Sequence, residues 1–436
     1  MSIAISAAET SQPGKTAADR QGQRIALYVR SVRKGCGAEQ VVVTLAKGLA
    51  KRGHRVDLLL EDPDGHLLDD LPDGVSIVPL KSSGATLLRE FQFRVISFVR
   101  NAFALLVSGN PRPLSVASSL RRFLFKRRPP VYALSRYIAE RQPTAVLASL
   151  NHPCLSILLA SQFCPGQTRM LLCIHNNTTH SVLGAKSVRM KDVPVLMNYL
   201  FPLADKVITV SNGVRDDVRQ LAGLPESRVM TIYNPIFQTS LLEQASTDPG
   251  HPWLREVDRI PVILGVGKLR PQKDFETLIK AFALLTQRRP ARLIILGEGE
   301  ELDRLNACAR ELGVSYAVDL PGYVMNPYAY LARASIFVLS SAWEGLGNVI
   351  VEALACGCPV VSTDCPSGPR EILDGGRFGK LVPMRDAKAI ADAVEETLDN
   401  PPPRDSLRER AQDFNVENSV SAYETEMLIK TRTLTP

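Results

Sequence analysis

Short apolar runs, each followed by a turn and a helix-spaced segment, recur along the chain. Arg24 to Val29 (RIALYV) reads as a first buried strand, and a glycine-containing loop then leads into VVVTLAKGLAKRG, whose apolar residues keep helical spacing until Gly53. HRVDLLL supplies the next strand. Strand, crossover helix and strand in so short a span is a βαβ unit, which makes the strands parallel and puts helices on the sheet faces. AVLASL, MLLCIH and KVITVS continue the series. After an irregular, Pro-rich stretch near Asn234 to Pro261, a second series runs through PVILGVG, RLIILGEG, SIFVLSS and PVVSTD. The pattern predicts an α/β chain of two similar layered domains: a loose tail over 1–22, a first domain over 23–245, a second over 246–405, and a helical segment over 406–436 crossing back to the first.

A length of 436 residues exceeds one hydrophobic core, so two domains and a ligand cleft between them are expected. The longest apolar run, Val95 to Val107, is interrupted by Arg100 and falls short of the ~20 residues that span a bilayer. The first twenty residues are small and polar, unlike a secretory signal. Eight cysteines occur without a CxxC pair or matching histidines, which points to core thiols in a cytoplasmic protein rather than zinc.

The formal charge of +7 says little until it is located. Between Lys81 and Arg141, twelve cations stand against Glu90 and Glu140 alone. Leu87, Phe91, Phe93, Phe98, Phe103, Leu124 and Phe125 are interleaved with them. This insertion reads either as a solvated helix pair or as an element attracted to an anionic membrane surface. No pattern points to a nucleic-acid partner.

The segment from Ser341 to Leu373 carries the densest chemistry. An apolar strand ends before Trp343, Glu344 to Asn348 form a glycine-rich turn, and NVIVEALACG continues with helical spacing, Asn348 being a candidate cap. Gly345 and Gly347 let backbone amides approach a ligand, and a helix start favours a diphosphate. Glu352 lies eight residues beyond Glu344, ~12 Å along a helix, so that two acids flank the helix start. The bland alternative is a turn acid and a surface-helix acid. GVGKLRPQKDF places Lys268, Arg270 and Lys273 between a strand and a helix, where open α/β sheets bind ligands and where cations would stabilise a departing diphosphate. Gly35 and Gly37 follow the first strand, and His175 ends MLLCIH. Asp62 and Asp64 make a DxD by spacing in a Pro-Gly loop, and no metal site is read there.

With these residues in place the chain resembles the family-four retaining glycosyltransferases, which have the GT-B fold of two facing Rossmann-like domains with parallel sheets and an inter-domain cleft. The matching segments are CGAEQVVVTLAKGLAKRGHRV, VSNGV, GKLRPQKDFETLIKAF, GYVMNPYAYLARASIFVLSSAWEGLGNVIVEALACGCPVV, CPSGPREIL and RAQDFNVENSVSAYE. The resemblance implies that Lys268 and Lys273 contact the donor diphosphate, that Glu344 contacts the transferred sugar, and that Glu352 holds the ribose. It implies Tyr323 and Val324 near the base, the amides of Gly345, Leu346, Gly347 and Asn348 near the sugar and His175 near the reaction centre, whereas Gly35 and Gly37 read from their own position either as facing the donor phosphates across the cleft or as a plain tight turn. Such enzymes use a nucleotide-sugar donor, here expected to be a UDP-sugar, retain configuration and usually need no metal or other cofactor. Lys268 stands where the family often has arginine, and Cys36 with Gly37 where it has two glycines.

The expected function is therefore hexosyl or N-acetylhexosaminyl transfer to a lipid-linked glycan on the inner membrane face during cell-surface polysaccharide synthesis. A soluble synthase acting on a small sugar or sugar phosphate, a nucleotide-sugar epimerase, and a non-catalytic nucleotide-sugar sensor are the alternatives.

Overall fold

The computed structural model describes residues 22–32, 37–80, 84–108, 110–164, 166–184, 188–255 and 260–429. The N-terminal tail, Gly35, Cys36 and Lys81 lie outside them. The first sheet holds β1 (Arg24–Ser31), β2 (Arg55–Asp62), β3 (Val75–Pro79), β4 (Ala145–Ser149), β5 (Arg169–Ile174), β6 (Lys206–Thr209) and β7 (Val229–Thr231), in the order β3-β2-β1-β4-β5-β6-β7. The second holds β8 (Val262–Val266), β9 (Arg292–Leu296), β10 (Val318–Gly322), β11 (Ile336–Leu339), β12 (Val360–Thr363) and β13 (Lys380–Val382), in the order β10-β9-β8-β11-β12-β13. All ladders are parallel. Strand order therefore reverses between β1 and β4 and again between β8 and β11, the positions where loops open a crevice at the carboxyl ends.

The interior strands read clearly in the sequence because both faces are buried: β4 and β5 have no exposed position. The edge strands β3 and β13, with β7 and β10, escape the apolar pattern because at least half of their short runs faces outward or is only half covered. In the second sheet the sides alternate as the pleat requires. Ile263, Leu293, Ile295 and Val338 pack under helices Phe275–Thr286 and Ala387–Asp399, while Leu264, Ile294 and Phe337 join the core that continues from the first lobe.

Helix Val416–Leu428 lies against the first lobe. Tyr423 is fully buried with its hydroxyl 3.2 Å from Cys173 Sγ, and Glu424 accepts from Arg52 at 2.6 Å. Helix Thr239–Ser246, on the first-domain side of a boundary at 245, packs on the second lobe instead: Asn326 donates to the Gln244 carbonyl and Arg333 to that of Ala245. The changeover between lobes thus precedes Thr239.

Between β3 and β4 the basic insertion forms helices Gly84–Val107, Pro113–Arg122 and Val131–Arg141, with a π-helical turn at Phe123–Arg127. Its charges are less available than their number suggests. Arg94 is buried against the Glu90 carbonyl, Arg122 is held by Asp192 and Ser118, and Arg100 donates to the Gln162 carbonyl. Phe123 and Leu124 are buried and Phe93 packs between Tyr132 and Phe163. The outward apolar residues of the long helix are Leu87, Leu88, Phe91, Ile96, Val99, Phe103, Leu106 and Val107, of which Leu88, Phe103 and Leu106 are 66, 68 and 75 % exposed. Among the described residues no helix is long and apolar enough to cross a membrane.

Candidate active site

The second lobe builds its site at the β8/β11 switch point from two loops stitched together. Gln272 donates to the Trp343 carbonyl at 2.8 Å, its own carbonyl accepts from Ala342 N, and Ser340 Oγ donates to the Lys273 carbonyl at 2.8 Å. These bonds fix Lys273 against the turn after β11. Its Nζ lies 2.6 Å from Glu344 Oε1, which also accepts from Ser341 Oγ at 2.6 Å. Glu344 is only 6 % exposed, so the cation and the hydroxyl offset the desolvation of its carboxylate.

Beyond Glu344 the chain enters helix Asn348–Ala355. Asn348 does not cap it. Gly347 occupies the cap position with φ 91°, a left-handed conformation that favours glycine, and among the described residues no side chain caps the first-turn amides. Asn348 instead accepts from Asn234 of the first lobe at 2.8 Å. The helix start thus keeps donors and a positive dipole end available to an anionic ligand.

Glu352 follows on the same helix, and burial pushes its carboxyl up to about 7 against a smaller opposing influence of Lys273. Tyr328 lies beside it, its phenol held above the usual range first by the Glu352 charge and then by burial. Lys268 is lowered by burial and by Arg270, and feels Glu39 of the first lobe as a favourable charge. Tyr323 and Val324 extend from β10, Tyr323 close to Glu298 at the end of the neighbouring strand.

Across the cleft, His175 follows β5. It is buried, neither ring nitrogen has a hydrogen-bond partner among the described residues, and burial pushes its pKa down to about 4, so the imidazole is neutral. The lobes touch here: a Cβ on Gly345 would sit 1.8 Å from the His175 carbonyl oxygen, so only glycine fits. Gly37 opens helix Gly37–Lys51 and faces Asn348, with 3.5 Å between a Cβ placed on it and the Asn348 amide nitrogen. Gly37, His175, Lys273, Glu344 and the turn to Asn348 therefore converge. On the second lobe Glu352 feels the charge of Lys273 and Lys268 that of Glu39, while Tyr323 and Val324 follow β10, two strands from β8. Asp62 ends β2, and among the described residues no group of three or more His, Cys, Asp or Glu side chains could hold a metal ion.

Sequence reading missed Ser341, whose strand-end serine carries no distinguishing pattern, and the cross-lobe groups Ser211, Asn234 and Glu371. Ser211 and Glu371 stand in the VSNGV and GPREIL segments, but only the packing shows what they touch.

The family of group 1 glycosyl transferases matches residues 254–414, and Glycosyltransferase Family 4 matches residues 35–237. The chain belongs to the group 1 glycosyltransferases, with a first domain of the family-four kind, and its two Rossmann-like domains are those of a GT-B enzyme. An N-acetylgalactosamine-N,N'-diacetylbacillosaminyl-diphospho-undecaprenol 4-alpha-N-acetylgalactosaminyltransferase of Campylobacter jejuni is 33 % identical over 60 % of this chain and 69 % of its own length. The lipopolysaccharide core biosynthesis glycosyltransferase LpsE of Rhizobium meliloti is 33 % identical over 56 % of this chain and 67 % of its own. Among solved structures, HepE of Anabaena in complex with UDP-glucose superposes with a TM-score of 0.68 at 19 % identity, covering 93 % of this chain and 99 % of that one.

Proposed function

We propose that this glycosyltransferase moves a hexose or N-acetylhexosamine from a UDP-sugar to a lipid-linked glycan, with retention, in cell-surface polysaccharide synthesis. The observation that carries the reading is the Lys273–Glu344–Ser341 cluster beside a helix start that Gly347 leaves without a side-chain cap, with the His175 backbone of the other lobe meeting the same turn at Gly345. A diphosphate-sugar matches that arrangement in charge and in its mixture of donors and acceptors. The names of the Campylobacter and Rhizobium relatives support a glycan acceptor, and the UDP-glucose held by HepE supports the donor class.

In this reading the second lobe binds the donor and the first lobe the acceptor. Lys268 and Lys273 stabilise the departing diphosphate, the amides of Gly345 to Asn348 and the Glu344 carboxylate bind the sugar, and Glu352 accepts from the ribose. Tyr323 and Val324 flank the base, Gly37 lies at the phosphates, and the His175 ring gains a hydroxyl partner. The acceptor oxygen bonds to the anomeric carbon on the face where the bond to the phosphate oxygen breaks. The acceptor proton passes to that departing oxygen, so no enzyme nucleophile is needed. Lysines serve the electrostatic role that a divalent ion fills elsewhere.

The outward apolar stripe of helix Gly84–Val107 supports a peripheral location on the cytoplasmic face of the membrane, where a lipid-linked acceptor is found. A soluble synthase for a small sugar would need no such face. Donor-panel binding followed by linkage analysis of the product tests the reading: epimer formation without acceptor, binding without turnover, or transfer only to free sugars would each replace it.

A further inference from the structure

Among the described residues, four groups of polar contact between the lobes involve the donor turn or the segment Ser367–Glu371 beside it. Ser211, the N-cap of helix Asn212–Ala222, is fully buried and donates its hydroxyl to the Gly345 carbonyl at 2.6 Å. Asn234 donates to Asn348 Oδ1 at 2.8 Å, and Asn177 to Ser367 Oγ at 3.1 Å. In the opposite direction, Glu371 of the second lobe places its carboxylate on a helix start of the first. It accepts from the backbone amides of Asn212 and Gly213 at 2.8 and 2.9 Å, and from the Tyr233 hydroxyl at 3.1 Å.

The two second-lobe turns behave as one unit. Glu344 N donates to the Pro366 carbonyl at 3.2 Å, and a Cβ on Gly368 would sit 2.0 Å from the Leu346 carbonyl oxygen. A pull on either turn is therefore felt by the other. The peptide between Gly345 and Leu346 is planar and trans, so fixing the Gly345 carbonyl toward Ser211 also fixes the direction of the Leu346 N–H. A carboxylate on helix-terminal amides is a charge-assisted contact that only the apposed lobes can make.

We infer that Ser211, Asn234 and Glu371 are positioning residues for glycosyl transfer: lobe closure brings them onto the donor turn and holds its amides and Glu344 in reacting geometry. This rests on the reading of Gly345 to Asn348 as the donor turn. These contacts then contribute more in the transition state than in the ground state, and act through the turn rather than on the substrate.

The test compares Ser211→Ala, Asn234→Ala and Glu371→Gln with the parent in transfer kinetics, UDP calorimetry and small-angle scattering with and without UDP. Each variant is expected to lower kcat ~10-fold while donor KM and UDP affinity stay within ~3-fold. Ser211→Thr, which keeps both the hydroxyl and the cap to Val214 N, is expected to recover kcat, and the Ser211→Ala/Glu371→Gln pair to remain expanded with UDP present. Ser211→Ala also removes a helix cap, so Glu371→Gln and Asn234→Ala, which leave that cap intact, decide the matter if it folds poorly. Unchanged kcat per UDP-binding site in those two variants overturns the inference. Failure of the parent to transfer from any UDP-sugar overturns the functional reading instead. Scattering then judges the closure contacts alone, and equal compaction of parent and double variant rejects them.

Discussion

The donor edge of the second lobe and the insertion of the first lobe are both rich in cations, yet they use them in opposite ways. At the donor edge, Lys273 is tied to a buried acid across two stitched loops, in a place where the fold brings backbone donors to the same point. In the insertion, Arg94, Arg100 and Arg122 are spent on carbonyls and on Asp192, while Leu88, Phe91, Val99, Phe103 and Leu106 point outward. Charge count therefore describes neither region. What each can bind follows from which partners the fold has already supplied.

The sharpest break of this comparison is Glu344→Gln. It keeps the shape of the turn and the Ser341 contact but removes the carboxylate that acts on the sugar, and transfer is expected to fall by ~100-fold or more with donor binding largely kept. Steady-state kinetics beside UDP calorimetry measure this, and near-parental turnover would remove Glu344 from the mechanism. Next comes Lys273→Ala, with a loss of ~30-fold in kcat/KM spread over binding and turnover, since a phosphate cation acts in both states. The same variant leaves Glu344 buried without its cation, which is expected to cost roughly 3 kcal/mol of stability in denaturant titration. An unchanged midpoint and unchanged donor response would together reject the pair as a phosphate site.

Glu352 gives a smaller, pH-dependent effect. Its carboxyl, pushed up to about 7 from the ordinary 4.5, holds a proton in the folded chain that the unfolded chain has lost. Stability of the ligand-free protein therefore falls as pH rises from 4.5 to 7. Ribose hydroxyls that donate to the carboxylate favour the ionised form, so donor affinity should rise ~10-fold between pH 6 and pH 8. Calorimetry with a UDP-sugar reads the slope, and Glu352→Gln should flatten it. An equal slope in the variant assigns the titration elsewhere.

The smallest change in catalysis is expected from the insertion. Replacing Leu88, Phe91, Phe103 and Leu106 with Ser should move the protein from anionic vesicles to the soluble fraction while transfer to a short water-soluble acceptor stays within ~2-fold, because burial of apolar area drives interfacial binding. Replacing Arg121, Lys126 and Arg128 with Gln should weaken vesicle binding mainly at low salt, each cation near such a surface being worth ~1 kcal/mol. Salt-insensitive binding of the parent, unaffected by either set, would detach the insertion from the membrane.

Periodicity determined much of this chain. The buried strands β1, β4, β5, β8, β9 and β11 are continuous apolar runs because both faces are covered, and the glycine turn before Asn348 follows from local backbone requirements. The candidate residues were legible because His175 directly follows such a strand and Lys273 and Glu344 lie in the strand-to-helix loops after two others. Tertiary structure alone decided the rest. The edge strands β3 and β13 are paired by neighbours rather than by their own pattern, and Asn348, which stands inside the helix after the Gly347 cap, finds its partner in Asn234 of the other lobe. In the amphipathic insertion Arg122 is held because Asp192, distant in sequence, offered it a partner. Local sequence specifies backbone conformation and burial, whereas the partner of a polar side chain is a property of the segments folded against it.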